Sequence, residues 1–422
     1  MKQYHSIFNQ VLGPVTPGPS SSNTSGPVKI ADLCVQAFGE IPEKVMIEFP
    51  QDGLFRSTYI TMKSDIAFIN GLIGKGLDDP DFHKAYERAA ETGVDIDFRI
   101  SDFPCHPKYM ETVKLSLKKG DKEYVFLAAS TGGGTCLIYE FNGCETNLRG
   151  DQYEFLIFTE QRGAAKKTEL IESLRKTVPA INNILCSGHG SCELITIQAG
   201  REISDDIIKK VNETGCIKLA MQLRPIYPVV LDSEKKPPFT TPDEMEEYCI
   251  KNRLALWQGV AAYESALSGW SENEVIEYSE KLMDIILDSA ESGLKSDFDI
   301  KGIVKPTART LAQNMKKNNP LSLGFLDEAL PIALGIMEHS NAGKKIVCLP
   351  TGGSSGIIPA VIIAAAKQMG LAKADMAKAL LVSGMIGVFM SRDNNFCGAD
   401  SGCQAEVGCG TGMAAAALVQ LR

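Results

Sequence analysis

The sequence predicts an α+β fold: an N-terminal α+β domain, then a ferredoxin-like module, then an all-α C-terminal domain. Three observations carry this. Strand-like alternation is confined to the residues before about 225, a βαββαβ order stands out between 151 and 225, and everything after the Pro-rich stretch Pro225 to Pro242 reads as helix. At roughly 150 residues per domain, 422 residues suggest about three domains. The boundaries fall at 1–150, 151–225 and 242–422, with 226–241 as linker. A 44% hydrophobic, 23% charged composition supplies packed cores and argues against a disordered chain. The formal charge of −9 argues against nucleic acid or an anionic membrane as partner.

In the first segment, Val45–Phe49 and Leu54–Thr61 alternate as strands, and Lys63–Ile73 and Asp81–Thr92 read as helices. Tyr109–Leu117 and Glu123–Ala129 form strands about a Lys119-Gly120-Asp121 turn. Ser130-Thr131-Gly132-Gly133-Gly134 leads into a further strand, Thr135–Phe141. In the second segment the order is strand Tyr153–Thr159, helix Ala164–Thr177, strands Ala180–Cys186 and Ser191–Gln198, helix Ile203–Glu213 and strand Cys216–Leu223. That order resembles an ACT-type regulatory module, which implies effector sensing; a plain docking domain has the same fold. Beyond the linker, Thr241-Pro242-Asp243-Glu244 is a helix start, and the later helices, rich in Ala, Gly and Ile on nearly every face, read as buried.

No stretch reaches 18 clean apolar residues, and the start MKQYHSIFNQVLG lacks an export-signal pattern, so a cytoplasmic protein is expected. In that setting the twelve cysteines read as reduced thiols or metal ligands. Nine, including Cys348, are scattered, while Cys397, Cys403 and Cys409 fall in the last 26 residues.

Three polar, glycine-bearing stretches interrupt apolar surroundings. Pro17–Pro27 sets Ser20, Ser21, Ser22, Asn23 and Thr24 before a helix expected near Pro27, which makes either a carboxylate cradle or an N-cap within a Ser/Pro linker. Leu349–Pro359 holds Thr351, Gly352, Gly353 and Ser354, whose glycines let backbone amides converge on a ligand; the Lys of a P-loop is missing. Asp393–Cys409 spaces its cysteines six positions apart, about 240° on a helix, so three ligands would need a loop around Gly398–Gly402. That spacing is no familiar zinc pattern; an iron–sulfur cluster tolerates it. Among five histidines, His106 between Pro104 and Pro107 is the acid/base candidate, weighed against a structural role.

Taken together, these loops resemble the iron–sulfur-dependent L-serine dehydratases (L-serine ammonia-lyases), with β-type and α-type regions fused. Ser6-Ile7-Phe8, Val11-Leu12-Gly13-Pro14-Val15 and Gly18-Pro19-Ser20-Ser21-Ser22 match that family's opening, Cys105-His106-Pro107 its His-Pro motif and Ser130–Gly134 its glycine-rich strand end. Pro350-Thr351-Gly352-Gly353-Ser354-Ser355-Gly356-Ile357-Ile358-Pro359 is similar to its Pro-Thr-Asn-Gly-Ala-Ala-Gly-Ile-Ile-Pro loop. Gly402-Cys403-Gln404-Ala405-Glu406-Val407-Gly408 matches its Gly-Cys-Gln-Gly/Ala-Glu-Val-Gly segment.

The resemblance implies a [4Fe–4S] cluster held by three cysteines, with an open iron acting on a hydroxy-acid or amino-acid substrate, and no pyridoxal phosphate. It implies Cys403 as a ligand, carboxylate binding by residues 20–24 and 351–354, His106 as acid/base, and a homo-oligomer or partner subunit. Asn23 stands where the family has a histidine, and Thr61-Met62-Lys63-Ser64-Asp65 replaces its Gly-His-Gly-Thr-Asp. Its downstream Cys-Asp-Pro…Pro-Cys segment would lie beyond Arg422. The remaining ligands are therefore expected from an extension of the chain, from a separate subunit, or from Cys397, Cys409 and Cys348. L-Serine dehydration is the leading expectation, ahead of a 2-(hydroxymethyl) dicarboxylate dehydratase and a non-catalytic paralogue.

Overall fold

A computed structural model describes residues 4–160, 164–178, 180–213, 217–232, 234–295, 297–300, 305–317, 322–392, 396 and 403–422, without the side chains of 164–167, 403 and 404. The chain divides into two compact units. One comprises residues 1–25, 132–134 and 237–422, the other residues 26–131 and 135–236. The chain opens with α1 (Ile7–Gln10), β1 (Val15–Pro17) and α2 (Ser21–Phe38).

Residues 26–131 and 135–236 build two sheets. The larger comprises β2 (Lys44–Pro50), β3 (Asp95–Ser101), β4 (Thr112–Lys119), β5 (Lys122–Gly132), β6 (Thr135–Phe141) and β7 (Cys144–Leu148), in the order β3-β2-β4-β5-β6-β7. Strand β2 sends Val45, Ile47 and Phe49 inward by its period of two, where they meet Leu115, Phe126 and Phe141. The pair β2–β3 is parallel and therefore needs a crossover, made by α3 (Phe55–Thr58), α4 (Ser64–Leu72) and α5 (Ala85–Thr92).

The expected strand over Leu54–Thr61 is corrected here: it is α3 and turns. Helical spacing carries Phe55 and Tyr59, four apart, onto Phe49 at 5.4 and 5.0 Å between ring centroids, a contact that strand alternation would not make.

The second sheet has the expected βαββαβ order: β8 (Tyr153–Glu160), α6 (Ala164–Thr177), β9 (Ile181–His189), β10 (Cys192–Ala199), α7 (Asp205–Asn212) and β11 (Ile217–Leu223). Its strands run antiparallel in the order β11-β8-β10-β9. Alternation along β8 sorts side chains to two cores. Leu156 and Phe158 join the core of the larger sheet, while Phe155 and Ile157 pack with Leu174 of α6 and Val211 of α7.

Glu154, fully buried on β8, accepts hydrogen bonds from the amides of Arg149 (2.9 Å) and Gly150 (3.3 Å). Burial, and then the charge of Asp151, push its carboxyl up to about 8. Because the folded value exceeds the ordinary 4.5, the protonated form favours the fold, and that stabilisation is lost as pH rises through 8. The melting temperature of the wild type should fall between pH 5 and pH 9, and Glu154→Gln should flatten this dependence. Thermal melts across that range check it; an equally steep slope in the variant would assign the alkaline loss to another group.

Residues 237–422 are helical: α8 (Pro242–Asn252), α9 (Leu256–Ser268), α10 (Glu272–Lys295), α11 (Ala308–Lys317), α12 (Leu326–Asn341), α13 (Ile357–Met369), α14 (Lys373–Ser391) and α15 (Cys403–Leu421). A capping box opens α8, with Thr241 Oγ1 accepting from Glu244 N and Glu244 Oε2 from Thr241 N, both at 3.2 Å. The expectation of helix throughout needs one correction. Strand β12 (Lys345–Val347) pairs antiparallel with β1, Val15 opposite Val347, because the N-terminal residues supply it with a partner that no local pattern announces.

The N-terminal segment is bound tightly into this helical unit. Glu264 of α9, fully buried, accepts from the Ser6 hydroxyl and from Ile7 N at 2.8 Å. Ile7, Val11 and Leu12 lie against Gly384 and Gly387 of α14, where a Cβ would collide with them. Helix α14 is long and apolar enough to cross a membrane by length and composition, and 56% of that window is buried within the protein.

Candidate functional site

Helix α2 starts at Ser21, six residues before the expected start. Ser20 is its cap: its hydroxyl accepts from Asn23 N (3.4 Å) and Asn23 Nδ2 (3.3 Å). Pro27, read from the sequence as a first-turn proline, lies within the helix, where it has no amide proton to offer the Asn23 carbonyl. Ser20–Thr24 thus form the cap and first turn rather than a preceding loop, which sets their hydroxyls beside the first amides of the helix. Ser21, Asn23 and Thr24 are buried, and Ser20 and Ser22 are half-buried. The Thr24 hydroxyl is buried without a hydrogen-bond partner among the described residues.

The second stretch is held by its own side chains. Ser354 Oγ donates to Leu349 O (2.8 Å) and lies 3.1 Å from Thr351 Oγ1, while Ser355 Oγ donates to Gly352 O (2.7 Å). Thr351 and Ser354 are buried, and these internal bonds shape the turn that feeds α13. Gly353 is the exposed residue of the turn.

The two stretches meet at Gly352. A Cβ there would stand 2.7 Å from Pro19 O and 3.2 Å from Ser21 N, so only glycine lets the turn approach the start of α2. The turn Gly132–Gly134 comes to the same place with φ of 91°, 59° and 78°. Gly133 faces Pro350 O, and the Gly134 carbonyl accepts from Ser25 Oγ at 3.1 Å.

Glu406, on the first turns of α15, is the residue that sequence reasoning missed. Its Oε2 lies 3.0 Å from where a Cβ on Gly353 would be. Burial pushes its carboxyl above the ordinary range, and a hydrogen bond with Thr351 pulls it back. Its signal was its place in the Gly402–Gly408 segment, where the cysteine drew the attention. The site therefore brings hydroxyls and the amides of helix starts, which suit a carboxylate, beside one acidic side chain.

The remaining candidates are placed differently. His106 belongs to the other compact unit, stacked on Tyr109 and tilted against Tyr139, each at 4.8 Å between ring centroids. Its Nδ1 accepts from Lys108 N at 3.1 Å, so the neutral ring carries its proton on Nε2. Burial, followed by the charges of Lys108 and Arg149, holds it below the ordinary histidine range.

Cys397 lies outside the described residues, as does the side chain of Cys403. The loop expected around Gly398–Gly402 lies outside the described residues; helix begins at Cys403, so positions 403 and 409 stand about 240° apart on one continuous helix. Cys348 is fully buried, with its amide bonded to Pro14 O at 3.1 Å. Among the described residues no three His, Cys, Asp or Glu side chains are grouped to hold a metal. Of the four candidate ligands only Cys348 and Cys409 have described side chains, and two thiols do not make a cluster site by themselves.

Residues 251–422 match the family described as the serine dehydratase alpha chain. A probable L-serine dehydratase β chain from Bacillus subtilis (strain 168) is 30% identical over 225 residues, covering 50% of this chain and 94% of that relative. The L-serine dehydratase α chain of Peptoniphilus asaccharolyticus is 30% identical over 182 residues, 43% of this chain and 62% of the relative. L-serine dehydratase 2 of Escherichia coli (strain K12) is 28% identical over 192 residues, 44% of this chain and 41% of that protein.

Proposed function

The chain belongs to the L-serine dehydratase family, with regions like its β and α chains joined in one polypeptide, and from that premise we propose that it is a lyase converting L-serine to pyruvate and ammonia. The observation that carries the reading is the meeting of the α2 start with the Thr351–Ser354 turn at Gly352, in an environment built for a carboxylate. The amides and hydroxyls of residues 20–24 and the backbone of Gly352 and Gly353 hold the substrate carboxylate. That anchor fixes the Cα–H and the β-hydroxyl, so that loss of water gives 2-aminoacrylate, which takes up water to yield pyruvate and ammonium.

His106 is the proposed acid/base residue; in its neutral form, with Nδ1 taken up by Lys108 N, the ring offers Nε2–H as a hydrogen-bond donor. Asn23, which cannot act as a base near neutral pH, is left with orienting the carboxylate. Iron–sulfur dependence is part of the proposal and rests on family membership and on Cys403. The βαββαβ module is proposed to bind a small effector.

The test is anaerobic reconstitution with iron and sulfide, followed by assay of keto acid and ammonia. The expected result is about four irons per chain and equal yields of both products from L-serine. Iron-loaded protein that forms neither keto acid and ammonia from L-serine nor a 2-methylene dicarboxylate from a 2-(hydroxymethyl) dicarboxylate would sink the dehydratase reading. Activity in iron-free protein would remove the cluster alone.

A further inference from the structure

The charge of this site narrows its substrate. The start of α2 offers neutral hydroxyls and the partial positive end of that helix, and the 351–354 turn, which leads into α13, adds backbone amides. These satisfy one carboxylate. The titratable side chain that described contacts place against the turn is Glu406, touching Gly353 and hydrogen-bonded with Thr351. Among the described residues it has no lysine, arginine or histidine within ion-pair distance, although it is half-buried. A carboxylate so placed beside the exposed glycine of an anion-binding turn is complementary to a ligand that carries a cation next to its carboxylate. It opposes a ligand that brings a second anion.

We propose that Glu406 reads the substrate's α-ammonium, so that the site selects a 2-amino-3-hydroxy acid over a hydroxy dicarboxylate. This rests on the dehydratase reading and goes beyond it by assigning the residue that recognises the amine and discriminates against a second anion. Gly353 then has a specific purpose. Any side chain there would fall on the Glu406 carboxylate and fill the place of the ammonium. An incoming ammonium also supplies the ion partner that this half-buried carboxylate lacks among the described residues.

The experiment measures binding to the full chain by titration calorimetry with three probes: L-serine, glycerate (a hydroxyl in place of the ammonium) and 2-(hydroxymethyl)succinate. Wild type is expected to bind L-serine about tenfold or more tightly than either other probe, the range of a charge-assisted hydrogen bond. Glu406→Gln should weaken L-serine about tenfold while leaving glycerate unchanged or tighter, and Glu406→Asp, which keeps the charge, should retain part of the preference. Equal weakening of L-serine and glycerate in Glu406→Gln would make Glu406 a support for Thr351 and overturn the assignment. So would a wild type that prefers the dicarboxylate, although it would leave a dehydratase standing. A wild type that binds none of the three overturns the dehydratase reading itself.

Discussion

Gly352→Val is expected to lower kcat/KM for L-serine by about 100-fold or more. An added Cβ would stand 2.7 Å from Pro19 O, well inside contact distance, and neither backbone is the free end of a flexible side chain. The turn must therefore move away from the start of α2. Because both contribute to the proposed carboxylate cradle, a shift of about 1 Å would misalign its bonds to the substrate at once, and such misplacement costs about 100-fold. The turn is also bonded internally through Thr351, Ser354 and Ser355, so it moves as a body rather than yielding at one residue. Stability should fall less, by about 1–3 kcal/mol, the usual range for overpacking. Steady-state kinetics with a thermal melt separates the two effects. Wild-type kcat/KM in this variant would move the carboxylate site elsewhere.

Gly293→Val should have the opposite signature, a large loss of stability at a place with no part in binding. Helices α10 and α12 touch backbone to backbone there: a Cβ on Gly293 would press into the Gly335 carbonyl and stand 2.7 Å from Gly335 Cα. Facing it, a Cβ on Gly335 would stand 3.1 Å from the Gly293 carbonyl carbon. A branched side chain must separate two helices whose other contacts, Ala290 against Ile332 and Ile336, depend on that approach. The expected loss is about 3 kcal/mol, at the upper end for overpacking. It would lower the melting temperature by roughly 6–12 °C in a unit of this size. Gly408→Ala is the control. Its Cβ meets nothing within 4 Å, so helix propensity alone acts and the melting temperature should hold or rise slightly.

What could be read from the sequence divides along physical lines. Strands β8 and β10 were legible because each buries both faces and reads as an unbroken apolar-rich run. The start of α8 was legible because its capping box is local. Strand β3 escaped notice because it is an edge strand of alternating charge, Asp95, Asp97 and Arg99, with little apolar burial to mark it. The start of α2 was misplaced because a proline at Pro27 reads as a first-turn residue, whereas tertiary packing tolerates it inside the helix.

At the site, residue types and loops were legible one at a time, but their meeting was not. Gly132–Gly134 reaches the Pro350 turn through long-range packing that no spacing encodes. Glu406 was overlooked because a carboxylate gains meaning only from what faces it.

The pairing of β1 with β12 bears on how the protein is made. Val15 leaves the ribosome 332 residues before its partner Val347, and the α14 groove that receives Ile7, Val11 and Leu12 is synthesised later still. Throughout translation of the intervening residues those apolar side chains wait without their native cover. They are then exposed to capture by other chains, which makes slow elongation or crowded expression a hazard for yield. Residues 1–25 therefore settle late, and the proposed carboxylate cradle they carry comes into being only once the 351–354 turn and α14 have been made.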